Sequence, residues 1–138
     1  MKISTKGHYA LRVMVDLARH YPGDKVPLLD IAQRQDISEK YLESIVASLS
    51  KAGLVDATRG KGGGYRLIKD PRDYTVMEIL RSSEGSIAPV ACLDDDGDGC
   101  ERIDSCPTLP MWKQLYEVIE NYFNGVTLED LANGKIEF

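Results

Sequence analysis

The sequence predicts a mainly α-helical chain with one small β-hairpin wing, a winged helix-turn-helix followed by a long dimerisation helix. Three observations carry this. Residues 37–67 read as an amphipathic helix followed by a basic, glycine-rich hairpin. Residues 28–33 place a second short helix just ahead of it, across a tight turn. Residues 109–123 repeat large apolar side chains at spacings of three and four. Residues 1–74 are therefore expected to form a winged-helix DNA-binding domain. Residues 75–138 are expected to supply a cysteine-containing loop and the dimerisation helix.

Taken in order, Ser4 or Thr5 caps a first helix running to about His20, with Ala10, Val13, Met14 and Leu17 on its inner face. Lys2, Lys6, His8 and Arg12 lie near its start or on its other faces. Cations there oppose the helix dipole, so phosphate is the partner they suit, and a solvated face is the plain alternative. Tyr21-Pro22-Gly23-Asp24 reads as a turn. After the short helix, Gln35-Asp36-Ile37 turns into a helix capped by Ser38, with Glu39 in its first turn. Tyr41, Leu42, Ile45, Val46 and Leu49 form its apolar stripe; Glu39, Lys40, Glu43 and Ser44 form its outer face, with Tyr41 near the edge. Gly53 stands where a left-handed cap is expected. Residues 54–58 and 65–68 read as paired strands joined by a turn over residues 59–64. Such a helix would lie in a DNA major groove while the wing reaches the backbone or minor groove; an ordinary helix–hairpin of a small α/β domain is the bland reading.

Beyond the wing, Thr75-Val76-Met77-Glu78 has capping-box form and opens a helix through about Ser83. Residues 84–107 show no helical or strand period and are too long for an idle connection. Thr108 then caps a helix bearing Trp112, Leu115, Tyr116, Ile119, Tyr122 and Phe123, closed by Asn124-Gly125. So many aromatic residues exceed what a small domain needs for its own core, which is why this helix is read as a dimer surface. Thr127–Asp130 is a second capping box, opening a short terminal helix.

Composition narrows the function. The 138 residues are 43% hydrophobic, enough for a core. No apolar run approaches the roughly 20 residues of a membrane span, and no signal peptide is read, so a cytoplasmic protein without a membrane partner is expected. The odd count of three cysteines argues against a disulfide framework. The net charge of −5 looks wrong for a DNA binder until it is divided. Residues 1–72 hold 13 Lys and Arg against 8 Asp and Glu, a net +5; residues 73–138 hold 4 against 14, a net −10. Phosphate responds to the local field, so the basic half can meet DNA. An enzyme is not expected: no nucleophile–base pair is found, and residues 60–64 lack the Lys-Ser/Thr and following helix of a P-loop.

The three thiols, Cys92, Cys100 and Cys106, follow a C-x7-C-x5-C pattern among six carboxylates. Thiolates in such company disfavour ionisation unless a cation is bound. Asp94, Asp96, Asp98 and Gly99 resemble the first half of a calcium loop, but Ser105 stands where the bidentate Glu belongs. A structural zinc site usually has paired Cys-x-x-Cys knuckles, which are absent. An iron–sulphur cluster accepts three thiolates from a loop plus a fourth ligand from elsewhere.

Together, the stretches MKISTKGHYALRVMVDLA, ISEKYLESIVASLSKAGLV and RGKGGGYRL, with three cysteines ahead of a Trp-containing helix, resemble the IscR/NsrR/CymR family of bacterial regulators over nearly the whole chain. The likeness is strongest to its IscR-type branch. The resemblance implies a dimeric winged-helix regulator of double-stranded DNA whose binding is controlled by an iron–sulphur cluster, governing cluster biogenesis or a related stress response. It makes Cys92, Cys100 and Cys106 the cluster ligands, with [2Fe–2S] expected ahead of [4Fe–4S]. It matches Ser38, Lys40, Tyr41 and Glu43 to the recognition helix and Arg59, Gly60 and Lys61 to the wing. The placement of Lys6 near the start of the first helix and of Ser44 on the outer face adds these two as expected DNA contacts. Two departures stand out. The first cysteine spacing is longer than the usual C-x5-C-x5-C, and the histidine that IscR-type proteins carry three residues after the last cysteine is Leu109 here. A fourth ligand must then come from elsewhere, and the candidates are Glu43 and His8, the latter because NsrR-type members, which this chain resembles there, use a first-helix side chain of the partner subunit. Glu43 ranks first, because a carboxylate on a phosphate-facing helix is electrostatically odd unless it accepts from cytosine or turns to a metal. The competing expectation is a cluster-free repressor controlled by thiol redox chemistry or by a partner protein, as in CymR-like relatives.

Overall fold

Ser4, not Thr5, begins the first helix: its hydroxyl accepts the Gly7 amide at 3.1 Å. In the computed structural model, which describes residues 2–94 and 101–136, helix α1 spans Thr5–Ala18, α2 Leu28–Gln35 and α3 Glu39–Lys51. Strands β1 (Val55–Thr58) and β2 (Gly64–Leu67) follow, then α4 (Val76–Glu84), α5 (Leu109–Gly125) and α6 (Leu128–Ala132). The mainly helical fold with one antiparallel hairpin is the one the sequence predicts. α2 runs two residues further than expected, to Gln35, because Asp36 adopts a left-handed conformation (φ 53°) that ends it and turns the chain into α3. Ser38 caps α3 as expected, its hydroxyl accepting the Tyr41 amide at 3.2 Å.

The wing is tied down by two groups the sequence did not reveal. Val26 pairs with Tyr65, exchanging backbone hydrogen bonds of 2.8 and 2.9 Å, so the segment before α2 extends the hairpin. Gly64 permits that approach: a Cβ there would stand 2.4 Å from the Val26 carbonyl oxygen. The buried Tyr74 hydroxyl donates to the Leu54 carbonyl at 2.7 Å and accepts the Ile68 amide at 3.0 Å, clamping both ends of the hairpin.

Two expected caps differ. Thr75 accepts the Glu78 amide at 3.1 Å, but the Glu78 carboxylate pairs with Lys69 Nζ at 3.1 Å, so only half of that capping box is present. Thr108 makes no side-chain cap. The Thr127–Asp130 box is complete, with both bonds at 3.0 Å.

The main core gathers Ala10, Val13, Met14 and Leu17 of α1 with Ile31, Leu42, Ile45, Leu49, Tyr74, Ile79 and Leu128. A smaller cluster, Val76, Met77, Leu80 and Ile87, receives Ile119 and Phe123 of α5. One charged side chain is buried among the described residues. Asp16 is 3% exposed and accepts Arg34 at 2.8 and 3.0 Å and Gln35 Nε2 at 2.9 Å, joining α1 to the end of α2. Burial pushes its pKa up, but those hydrogen bonds and the Arg34 charge outweigh burial and hold it below the ordinary 3.8.

Asp16→Asn should therefore lower stability at neutral pH by about 1–3 kcal/mol. The folded pKa lies below the unfolded one. The carboxylate's contribution is thus complete above the unfolded value and lost as the pH falls through the folded one. Urea unfolding from about pH 7 downwards should show the gap between wild type and variant closing only below about pH 4.

Candidate nucleic-acid interface and thiol segment

α3 buries Leu42, Ile45, Val46 and Leu49 and turns Glu39, Lys40, Glu43, Ser44 and Ala47 to solvent. The wing tip, Arg59, Gly60 and Lys61, is exposed. Between them runs a groove lined by Glu43, Ala47, Lys51, Thr58, Arg59 and Tyr65. The structure thus brings the helix face and the wing to one surface. Lys51 and Thr58 were missed in the sequence, because only the fold of the hairpin back along α3 places them there.

Charge sorts the same way. Lys25 and Arg66 pair with Asp56, Arg34 with Asp16, Lys69 with Glu78 and Arg81 with Glu120. Among the described residues, Lys6, Lys40, Glu43, Arg59 and Lys61 have no ion-pair partner. The cations of the reading surface are among those left available to phosphate. Ser38 is occupied as the α3 cap and Ser44 is exposed. Tyr41 is only partly exposed and packs against the core and against Tyr9.

The thiol segment flanks α5. Cys92 lies in a 3-10 turn, Ala91–Leu93, and Leu93 shares a groove with Arg81 of α4 and Lys113, Tyr116, Glu117 and Glu120 of α5. Cys106 stands just before α5, where its Sγ shares a 3.3 Å hydrogen bond with the Thr108 hydroxyl. Thr108 itself has a helical backbone (φ −93°, ψ −13°), unlike the extended Ser4, Ser38, Thr75 and Thr127 that do cap their helices. The Thr108 hydroxyl, with the backbone amides of Thr108 and Leu109, lowers the thiol's pKa from the ordinary 9.0. Both cysteines are free thiols. Cys100 lies outside the described residues, as do Asp96, Asp98 and Gly99 of the calcium-loop reading. Among the described residues no three His, Cys, Asp or Glu side chains converge on a metal position. The donor chemistry at Cys106, a thiol biased towards thiolate, suits a soft, thiophilic metal. His8 is exposed on α1, beside Leu11, Arg12, Val15 and Leu131. Among the described residues, neither Cys92 nor Cys106 lines the groove that holds Glu43 or the one that holds His8.

α5 carries two apolar faces. Leu109 and Tyr116 are buried, and Ile119 and Phe123 pack on the α4 cluster. Met111 (53% exposed), Leu115 (39%), Val118 (63%) and Tyr122 (58%) form a separate outward stripe. Met111 and Val118 were missed in the sequence, which read one wide stripe where there are two. No helix among the described residues is long and apolar enough to cross a membrane.

A helix-turn-helix with a short antiparallel wing and unpaired cations along one surface defines a winged-helix DNA-binding protein. The chain belongs to the Rrf2 family, described as an iron-dependent transcriptional regulator, which it matches over residues 3–134. It is 38% identical over 135 residues to the HTH-type transcriptional regulator IscR of Photorhabdus laumondii, covering 98% of this chain and 81% of that one. Among solved structures it is similar to CymR, the global cysteine regulator of B. subtilis, at 38% identity and a TM-score of 0.78, covering 96% of this chain and 97% of CymR. It is equally similar to T. potens IscR, at 39% identity and a TM-score of 0.78, covering 99% and 89%. Its role is transcription regulation through DNA, not catalysis.

Thr108→Val removes the hydroxyl from Cys106 and should raise that thiol's pKa. The rate of iodoacetamide alkylation of Cys106, followed by mass spectrometry across pH, should then rise at higher pH in the variant than in wild type.

Proposed function

We propose that this chain is a cytoplasmic homodimeric regulator whose DNA binding is set by an iron–sulphur cluster on Cys92, Cys100 and Cys106. The observation that carries the reading is Cys106: a free thiol just ahead of α5, hydrogen-bonded to Thr108 at 3.3 Å and biased towards thiolate, beside the helix that bears the exposed apolar stripe. Membership of a family described as iron-dependent agrees with it. Such a cluster, [2Fe–2S] ahead of [4Fe–4S], would supply a bond between thiolates that breaks or changes charge with redox state. Its fourth ligand would be Glu43 or His8.

The chain's own residues carry the rest. Lys40 and Ser44 meet DNA from α3, with Tyr41 at the edge. Lys6 and the Ser38 turn meet backbone from the head of α1 and α3, and Arg59, Gly60 and Lys61 meet it from the wing. Glu43 is the discordant group: a carboxylate without an ion-pair partner in a groove that approaches phosphate. It accepts from a cytosine amino group where the site offers one and repels elsewhere. The stripe Met111, Leu115, Val118 and Tyr122 is the proposed dimer contact, since a two-fold contact covers the same patch on both copies.

A second reading, thiol-redox or partner control without a cluster, is favoured by two observations. Leu109 stands where IscR-type proteins carry histidine, and the fold matches CymR as well as it matches IscR.

Protein purified without oxygen should be red-brown, with visible absorption that Cys92→Ala abolishes. A chain that stays colourless after anaerobic treatment with iron and sulphide overturns the cluster and leaves the second reading. In the cluster-free protein, Glu43→Ala should admit sites that wild type rejects, a shift of roughly 1–3 kcal/mol in gel-shift titrations. Equal affinities would remove Glu43 from discrimination.

A further inference from the structure

We propose that Tyr9 and Arg12 of α1 are positioning residues for sequence recognition: they fix how the first turn of α3 is presented and thereby which bases it selects. The inference rests on the reading of α3 as the helix that meets DNA bases.

Arg12 lies on α1, yet its guanidinium is directed at the helix-turn-helix turn. Its Nε donates to Gln35 Oε1 at 3.2 Å, and a terminal nitrogen donates to the Gln35 backbone carbonyl. Gln35 is the last residue of α2, so that carbonyl is one that the helix itself leaves without an amide, and a cation beside it is well placed for the dipole. The acceptor is held in place in turn, since Gln35 Nε2 donates to the buried Asp16 at 2.9 Å. The next residue, Asp36, has the left-handed conformation that swings the chain into α3. Arg12 therefore grips the pivot between the two helices.

The second contact runs to α3 itself. The Arg12 guanidinium carbon sits over the Tyr9 ring, 5.1 Å from its centroid. Tyr9 meets Tyr41 edge to face, with centroids 5.9 Å apart and planes at 74°. Tyr41 is in the first turn of α3, its amide fixed on the Ser38 hydroxyl. A recognition helix reads base edges with its N-terminal residues. One guanidinium thus braces the end of α2 directly and the start of α3 through one aromatic pair. Residues 9, 12 and 16 follow each other at three and four, a single stripe of α1 facing the turn.

An alternative role for Arg12 is phosphate contact. The geometry disfavours it: two of its donor groups are already held by Gln35, and the side chain is partly buried. Hydrogen bonds to base edges tolerate only a few tenths of an ångström, so a small change in the pivot is felt in selectivity before it is felt in overall charge attraction.

The test uses the whole protein, first with a random duplex pool to recover the preferred site. Anisotropy titrations then measure affinity for that site and for a scrambled duplex over a series of salt concentrations. Arg12→Lys keeps the charge and loses the fork; Tyr9→Leu keeps an apolar side chain and loses the ring. Both variants are expected to bind scrambled DNA as wild type does, with an unchanged salt slope, while preference for the recovered site falls about tenfold. Circular dichroism should show both still folded. Undiminished preference in both variants overturns the proposal. So does an equal loss on both duplexes with a shallower salt slope, which would make Arg12 a phosphate contact, and so does unfolding of both variants, which would assign the pair to stability alone. A wild type that recovers no site removes the reading of α3 and this inference together.

Discussion

α1 is packed by elements from both ends of the chain: α2, α3 and β2 from the reading head, α4 and α6 from the C-terminal half. Ala10, Val13 and Met14 are wholly excluded from water as a result. Removing a buried side chain of this size leaves a cavity on top of the lost transfer energy, about 2–5 kcal/mol for a Leu- or Met-sized truncation. The consequence reaches beyond stability. Tyr74, Ile79 and Leu128 belong to the same cluster as the inner face of α3, so the C-terminal half and the DNA-facing helix share one core. A disturbance on α4 meets the recognition helix directly, and one on α6 reaches it through α1.

Most of the reading head was legible because its signals are local. The Ser38 cap, the apolar period of α3 and the left-handed Gly53 are each set by residues within a turn of one another. What was not legible depends on distant partners. Nothing near Val26 marks it as a strand partner for Tyr65, and nothing near Tyr74 points to Leu54 and Ile68. Glu78 follows Thr75 at capping-box spacing, but Lys69 competes for its carboxylate across the hairpin base. Thr108 likewise has the right type and place for a cap, but its backbone is helical and its hydroxyl lies against the Cys106 sulphur two residues earlier. Nothing near Asp16 in the chain marks it as buried; Arg34 and Gln35, at the end of α2, make its burial tolerable.

Electrostatics reconciles an acidic protein with a nucleic-acid partner. Several of the cations are cancelled by carboxylates within 4 Å, and the wing and the outer face of α3 keep theirs. At physiological salt the screening length is about 8 Å, so a field of this kind is felt at contact and not from the far end of the molecule. The excess of acid beyond residue 72 therefore costs the reading head little. The same short range makes Glu43 matter, because it lines one groove with Arg59.

The outward stripe of α5 and the thiol before it are joined by a shortage of hydrogen-bond acceptors. A helix start leaves amide donors open, and the side chain that ordinarily accepts from them is absent at Thr108. Cys106 sits beside that start: its sulphur shares a hydrogen bond with the Thr108 hydroxyl, and its backbone carbonyl accepts the Leu109 amide at 3.4 Å. A thiolate there is favourable for the helix as well as for itself, since negative charge at a helix start opposes the dipole. Whatever chemistry takes up that sulphur, by a metal or by oxidation, removes an acceptor from the first turn of α5. Met111, the first residue of the exposed stripe, is in that turn.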